Sequence, residues 1–196
     1  MKEHTELTST AIPDVDGMLS DGEGRFLQLL ADSKFVLEIG SYKGRSTIWM
    51  AKSATMVYAV DPFEHMTEFQ VNLERHKVDR RVVAIQGFSP GAINNRLDER
   101  IEFVFIDGDH SEKAVRADID AVLPRMTKWG YIAFHDYGRE GDAGVKKAVD
   151  DFIADGAVMM AQVGTVAVVK PFFGPRKKAE NGKDCEVSVK PVGMRI

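Results

Sequence analysis

Residues Phe35 to Thr47, FVLEIGSYKGRST, restrict the fold more than any other stretch of this chain. An apolar run (Phe35, Val36, Leu37, Ile39) stops at a short loop with glycines at 40 and 44, and a helical apolar pattern begins near Thr47. A strand, a tight glycine loop and a helix N-terminus form the nucleotide-cofactor cradle of doubly wound α/β sheets. The spacing narrows the cofactor. A dinucleotide loop reads G-x-G-x-x-G, and its middle glycine lets a pyrophosphate approach the backbone. Here position 42 is Tyr, and an acid, Glu38, stands two residues before Gly40, giving E-x-G-x-x-x-G. A carboxylate there repels phosphate and suits a cation or an amine.

The rest of the chain repeats the strand and helix alternation. A helix is expected from Ser20, with Phe26, Leu27, Leu29 and Leu30 on one face behind a Ser20/Glu23 capping box. Strands are expected at Phe35–Ile39, Met56–Val60, Val82–Gln86, Ile101–Ile106 and Tyr131–Phe134, with helices over about 46–53, 66–77, 112–126 and 144–154. Val158–Val163 and Thr165–Lys170 read as a closing antiparallel hairpin. The fold class is therefore α/β: a Rossmann-like, doubly wound, mostly parallel seven-stranded sheet with helices on both faces. Ligands in such sheets bind outside the carboxyl ends of the strands. The polar clusters 38–47, 61–63, 87–89, 107–110 and 135–137 all fall at those ends.

Composition sets the outer bounds. With 196 residues, 44% hydrophobic and 29% charged, the chain suits one globular domain, expected over residues 18–173. A loose arm (1–17) is expected before it, and a polar, basic, flexible tail (174–196) after it. A net charge of −4 supplies no global attraction to nucleic acid or anionic membrane, and Arg176-Lys177-Lys178 is too short a basic run to suggest otherwise. The single cysteine, Cys185, excludes an internal disulfide framework. The polar start lacks a signal-peptide core, and no apolar run approaches the roughly 18 residues that span a bilayer. A cytoplasmic protein is expected.

The acid-plus-glycine loop resembles motif I of class I S-adenosylmethionine (SAM) methyltransferases. That resemblance implies that Glu38, Gly40, Ser41, Tyr42, Gly44 and Ser46 form the loop around the methionine end of SAM. Asp61 ends the second strand, 17 residues after Gly44, where an acid can accept hydrogen bonds from both ribose hydroxyls of an adenosine. NAD sites use the same device, and a turn or N-cap aspartate is the plainer alternative. Phe88 and Ser89 end the third strand, where the family places groups around the adenine, and Phe63 is another candidate. A core aromatic is the competing role for either phenylalanine.

A second resemblance covers Ile101–Tyr137, IEFVFIDGDHSEKAVRADIDAVLPRMTKWGYIAFHDY. This stretch is similar to the metal-dependent small-molecule O-methyltransferases, including the macrolide, cephalosporin-pathway and catechol-type branches. Methyl transfer from a sulfonium to a hydroxyl is an in-line displacement that needs alignment and a deprotonated oxygen. A hard divalent cation, Mg²⁺ or Mn²⁺, lowers the pKa of the hydroxyl while a nearby base takes its proton. Asp107 and Asp136 end neighbouring strands and are the expected metal ligands, and the resemblance assigns them the family's first and second ligand positions. Asp107 is also counted with the cofactor and catalytic residues.

His110, three residues after Asp107, is the expected base, since an imidazole titrates near neutral pH. A helix-start histidine that only bonds its loop is the alternative. His135 precedes Asp136 where macrolide relatives carry Glu, so it is a candidate third ligand, whose nitrogen would favour Mn²⁺, Fe²⁺ or Zn²⁺ over Mg²⁺, a second base, or a side chain that points into the sheet. Strand alternation sends residues 135 and 136 to opposite sides, so both can meet one metal only where the strand has ended. Asp109 is expected to shape the loop.

The expected function is SAM-dependent O-methylation of a small hydroxylated molecule, a sugar or secondary metabolite. The alternatives are a SAM- or nucleotide-binding module without catalysis and an NAD-linked oxidoreductase, which Tyr42 disfavours. Little inserted sequence remains for a lid, so the pocket is expected to be open or completed in a homo-oligomer.

Overall fold

The apolar run that opens the cofactor loop forms the central strand, and four of its five residues are buried. This computed structural model describes residue 12, residues 14–96 and residues 100–173. In chain order its elements are α1 (Asp21–Ala31), β1 (Phe35–Ile39), α2 (Arg45–Ala51), β2 (Met56–Asp61), α3 (Met66–Arg75), β3 (Val82–Gln86), α4 (Gly91–Arg96) and β4 (Ile101–Ile106). Then follow α5 (Glu112–Val122), β5 (Met126–Phe134), α6 (Ala143–Ala154), β6 (Val158–Val163) and β7 (Val166–Lys170).

The strands make one seven-stranded sheet in the order β3-β2-β1-β4-β5-β7-β6. All pairings are parallel except those of β7, which runs antiparallel to β5 and β6. This is the expected doubly wound sheet with its closing hairpin. Period-2 alternation divides the strand residues between two cores. Phe103, Phe105 and Val36 face the side packed by α1, α2 and α3, whereas Val104, Ile106, Leu37 and Ile39 face α5 and α6. Because β1 pairs with β2 on one side and β4 on the other, the connections after β1 and β4 diverge and leave a crevice at their carboxyl ends.

Local chemistry explains most boundaries. The capping box at α1 forms in both directions: Ser20 Oγ accepts from the Glu23 amide, and the Glu23 carboxylate accepts from the Ser20 amide. Glu23 also accepts from the Thr165 amide at 2.8 Å, tying α1 to the β6–β7 turn. Helix α5 stops at Val122 rather than Met126, because Pro124 lacks the N–H to continue and a short 3₁₀ turn, Leu123–Arg125, replaces the last turn.

Two elements escape the pattern reading. β5 begins at Met126, not Tyr131, and its register shifts against β4 between Ile101 and Phe103; the intervening Lys128 and Trp129 are exposed and mask the strand. The short helix α4 begins on a glycine and carries no long apolar stripe.

Ile12 and Val15, in the segment expected as a loose arm, are buried in the core. Most of that arm, the 174–196 tail, Cys185 and Arg176 to Lys178 lie outside the described residues. No helix among the described residues is long and apolar enough to cross a membrane.

Candidate active site

A cavity of about 800 Å³ opens at the carboxyl ends of the central strands. Its first half is built by the glycine loop. Gly40 sits at φ +84°, and a Cβ there would lie 2.1 Å from the Asp107 carbonyl oxygen, so only glycine lets the ends of β1 and β4 run this close. Gly44, at φ +90°, turns the chain into α2 and does not itself line the cavity. Ser41, Tyr42 and Ser46 do.

Glu38 is fully buried beneath this loop. Its carboxylate accepts from Ser41 Oγ at 2.9 Å, from Ser46 Oγ at 2.5 Å and from Thr47 Oγ1. Burial pushes its pKa up to about 7 against the lowering effect of the three hydroxyls. Glu38 does not line the cavity; it braces the loop and the start of α2 from behind. Asp61 does line it, and one of its oxygens accepts from the Ser41 and Tyr42 amides at 2.8 and 3.0 Å. The other accepts from the Phe63 amide, an Asx-type turn. Asp61 therefore sets the loop as well as facing the cavity.

The two candidate aromatics separate. Phe88 is 75% exposed and lines the cavity beside Ser89. Phe63 is 4% exposed and packs its ring 4.8 Å from that of Phe69. Phe63 belongs to the core rather than to the cofactor site, because the residue turns inward at φ +57° once the Asp61 turn is made.

The second half of the cavity holds Asp107, His110, His135 and Asp136. Asp107 and His135 follow directly on β4 and β5, and Asp136 adopts φ +56°, so the strand has ended and residues 135 and 136 turn to the same side. His135 Nδ1 lies 3.2 Å from Asp107 Oδ1 and 3.1 Å from Asp136 Oδ2. His110 Nε2 lies 3.8 Å from Asp107 and 3.4 Å from Asp136. Asp109 accepts from the Ser111 amide at 2.7 Å and shapes the loop, as expected.

The carboxylates beside them shift both imidazoles, and the imidazoles in turn shift Asp107. The Asp107 carboxylate beside the ring raises His110 to about 9 in spite of its partial burial, with help from the Asp142 hydrogen bond and the charge of Asp136. His135 also reaches about 9: burial works to lower it, and its Asp107 hydrogen bond with the charges of Asp107 and Asp136 outweighs that. Asp107 is the converse case, held below the usual carboxylate range by the two histidines although burial pulls it upward.

The donor set fits a divalent cation. One ligand atom each from Asp107, His110 and Asp136 lies within 4.8 Å of the others; the two carboxylates offer the oxygen ligands that Mg²⁺ or Mn²⁺ takes, and a coordinating imidazole would favour Mn²⁺, Fe²⁺ or Zn²⁺ over Mg²⁺. His110 Nε2 and His135 Nδ1 both converge on these carboxylates, and His135 is the nearer, at 3.2 Å from Asp107 and 3.1 Å from Asp136. His135 is 4% exposed, turns its Nδ1 to the same carboxylates, and its Nε2 finds no partner among the described residues.

Three contributions were invisible to sequence reading. Residues 16–19 form one wall of the cavity, and Arg45 holds them there through hydrogen bonds to the carbonyls of Ile12, Val15 and Leu19 and an ion pair to Asp21 at 2.8 Å. Arg139 lines the opposite side and bonds Asp136 at 2.9 Å. Asp142 meets His110 Nδ1 at 2.9 Å. None of these belongs to a spaced motif, so no signal in the sequence marks them.

The family model described as "Methyltransferase domain" matches residues 37–137, which hold the glycine loop and the Asp107, His110, His135 and Asp136 cluster. This chain belongs to that family. A catechol O-methyltransferase of Mycobacterium tuberculosis is 36% identical over 98 residues, covering 46% of this chain and 44% of that one. A catechol O-methyltransferase of Niastella koreensis is 33% identical over 104 residues, covering 46% of each. The chain therefore matches less than half the length of these curated relatives. Among solved structures, an O-methyltransferase from Bacillus cereus in complex with SAH superposes with a TM-score of 0.67 at 25% identity, over 81% of this chain and 84% of that one.

Proposed function

We propose that this methyltransferase-family chain moves a methyl group from SAM to a hydroxyl of a small molecule, a sugar or secondary metabolite, with residues 18–173 as the working unit. The observation that carries this reading is the meeting, in one cavity, of the loop set by Asp61 and Gly40 with the Asp107, His110 and Asp136 group. The names of the catechol O-methyltransferase relatives and the SAH held by the Bacillus cereus enzyme support the same acceptor class and cofactor.

In this reading the Gly40 to Ser46 loop receives the methionine end of SAM. Asp61 receives the ribose, and exposed Phe88 with Ser89 receives the adenine. Asp107 and Asp136 hold a divalent cation. When bound, that cation polarises the acceptor hydroxyl and lowers its pKa. His110, in its neutral form, takes the hydroxyl proton at Nε2, the ring nitrogen that faces both carboxylates. The loop and the carboxylate group together fix the line from sulfonium to oxygen that displacement requires. The protein is taken to act in the cytoplasm on a soluble acceptor, without nucleic acid or membrane.

A transfer assay with methyl-labelled SAM tests the reading, run on catechols, sugars and hydroxylated secondary metabolites with and without Mg²⁺ and Mn²⁺. Label is expected in a hydroxylated product. Calorimetry that found NAD bound tightly and SAM not at all would sink the proposal in favour of an oxidoreductase. SAM binding with no transfer to any acceptor would leave a binding module.

A further inference from the structure

His110 has two ring nitrogens, and only one of them faces the cavity. Nε2 points at Asp136 and Asp107, at 3.4 and 3.8 Å. Nδ1 points away from them and meets Asp142 Oδ1 at 2.9 Å. Whether Nε2 accepts a proton or coordinates a cation, it must carry a lone pair, and the hydrogen bond made by the other nitrogen decides that.

The source of this carboxylate is unusual. Asp142 stands immediately before α6, where an aspartate ordinarily accepts from the free amides of the first turn. It makes no such capping bond. Its carboxylate is turned to the imidazole instead, and its second oxygen lies 3.7 Å from Arg139 Nε. Gly144 makes the reach feasible. A Cβ at position 144 would lie 2.4 Å from the His110 carbonyl oxygen and 2.7 Å from the Glu112 amide nitrogen. The start of α6 therefore packs backbone against backbone on the His110–Glu112 segment, which carries Asp142 to within hydrogen-bond distance of the ring.

We propose that Asp142 is the positioning residue of His110, accepting the Nδ1 proton so that Nε2 is presented to the cavity as the basic nitrogen. The catalytic consequence rests on the hydroxyl methylation proposed above; the tautomer assignment does not. As the acceptor O–H bond breaks, its proton moves to Nε2 and its electron pair stays on oxygen to attack the methyl group. The methyl–sulfur bond breaks, and its electrons return to sulfur. The resulting imidazolium keeps its Nδ1–H bond to Asp142.

The test combines long-range ¹⁵N–¹H spectra of histidine-labelled protein, recorded where the imidazole is neutral, with kinetics and SAM calorimetry. Wild type is expected to hold His110 as the Nδ1–H tautomer, and Asp142→Ala to move it toward Nε2–H. The turnover number of Asp142→Ala and Asp142→Asn is expected to fall about 10- to 100-fold, the range for loss of a group that orients a functional histidine. The SAM dissociation constant and KM stay near wild type, and Asp142→Glu recovers part of the rate. An Nδ1–H tautomer retained in Asp142→Ala, or an Nε2–H tautomer in wild type, overturns the proposal. Unchanged turnover in both variants does so too. Should wild type methylate no acceptor, the functional reading fails while the tautomer measurement still decides the role of Asp142.

Discussion

Phe63 and Phe88 follow two paired strands, β2 and β3, yet one is core and the other faces the cavity. Their truncations should separate accordingly. Phe63→Ala is expected to cost about 3–5 kcal/mol of stability, the usual range for emptying a buried aromatic site. Phe88→Ala should leave stability within about 0.5 kcal/mol and weaken SAM binding, since an exposed ring has little packing to lose. Denaturant melts beside SAM calorimetry check both, and the reverse pattern would contradict this placement. Glu38 yields a pH prediction. Burial raises its folded pKa from the usual 4.5 to about 7, so between those values the folded chain keeps a proton that the unfolded chain has released. Stability should therefore fall as pH rises from about 4.5 toward 7. Glu38→Gln, which cannot ionise, should lose that one-proton slope. Parallel slopes for the two proteins in denaturation series across this window would show that Glu38 does not titrate there.

At the scale of elements, the cavity depends on segments that meet only in three dimensions. Gly40 joins β1 to β4 at the Asp107 carbonyl. Gly40→Ala is expected to push these ends apart, lowering the melting temperature and weakening SAM and Mn²⁺ binding together, because both halves of the site hang on that contact. Arg45 holds Ile12, Val15, Leu19 and Asp21 against the start of α2 through three carbonyls and one carboxylate. Arg45→Ala should weaken SAM binding at least about tenfold, the equivalent of one charge-assisted hydrogen bond. It should also speed proteolysis near residues 14–19. Unchanged affinity would mean that this wall does not contribute to the cofactor site. Most of these elements were legible in the sequence because apolar alternation and the Ser20/Glu23 capping box are local signals. The first half of β5 was not, since exposed Lys128 and Trp129 break its apolar run, and α4 was too short to show a stripe.

At the scale of the whole molecule, the sheet order sets the glycine-loop half of the cavity beside the half that holds Asp107, His110 and Asp136, with β1 and β4 paired at the centre. Asp107→Ala is therefore expected to abolish metal-stimulated turnover while SAM affinity stays within a few fold of wild type. Transfer assays with Mn²⁺ titrated into variant and wild type check this, and full activity in excess EDTA would remove the cation from the mechanism. The sequence by itself determined the doubly wound fold, the choice of a non-dinucleotide loop, and the positions of Asp61, Asp107, His110 and Asp136. Each of these is a short-range pattern: an acid, glycine or histidine placed just after an apolar strand. Only the tertiary structure decided that Glu38 braces the loop from beneath, that Phe63 is core, and that the strand ends soon enough for His135 and Asp136 to converge. Arg45, Arg139 and Asp142 likewise emerged only there. The reason is physical: a side chain's direction is set by the dihedral angles and packing around it, and the partner of His110 lies 32 residues along the chain, delivered by a backbone contact at Gly144 that no local pattern records.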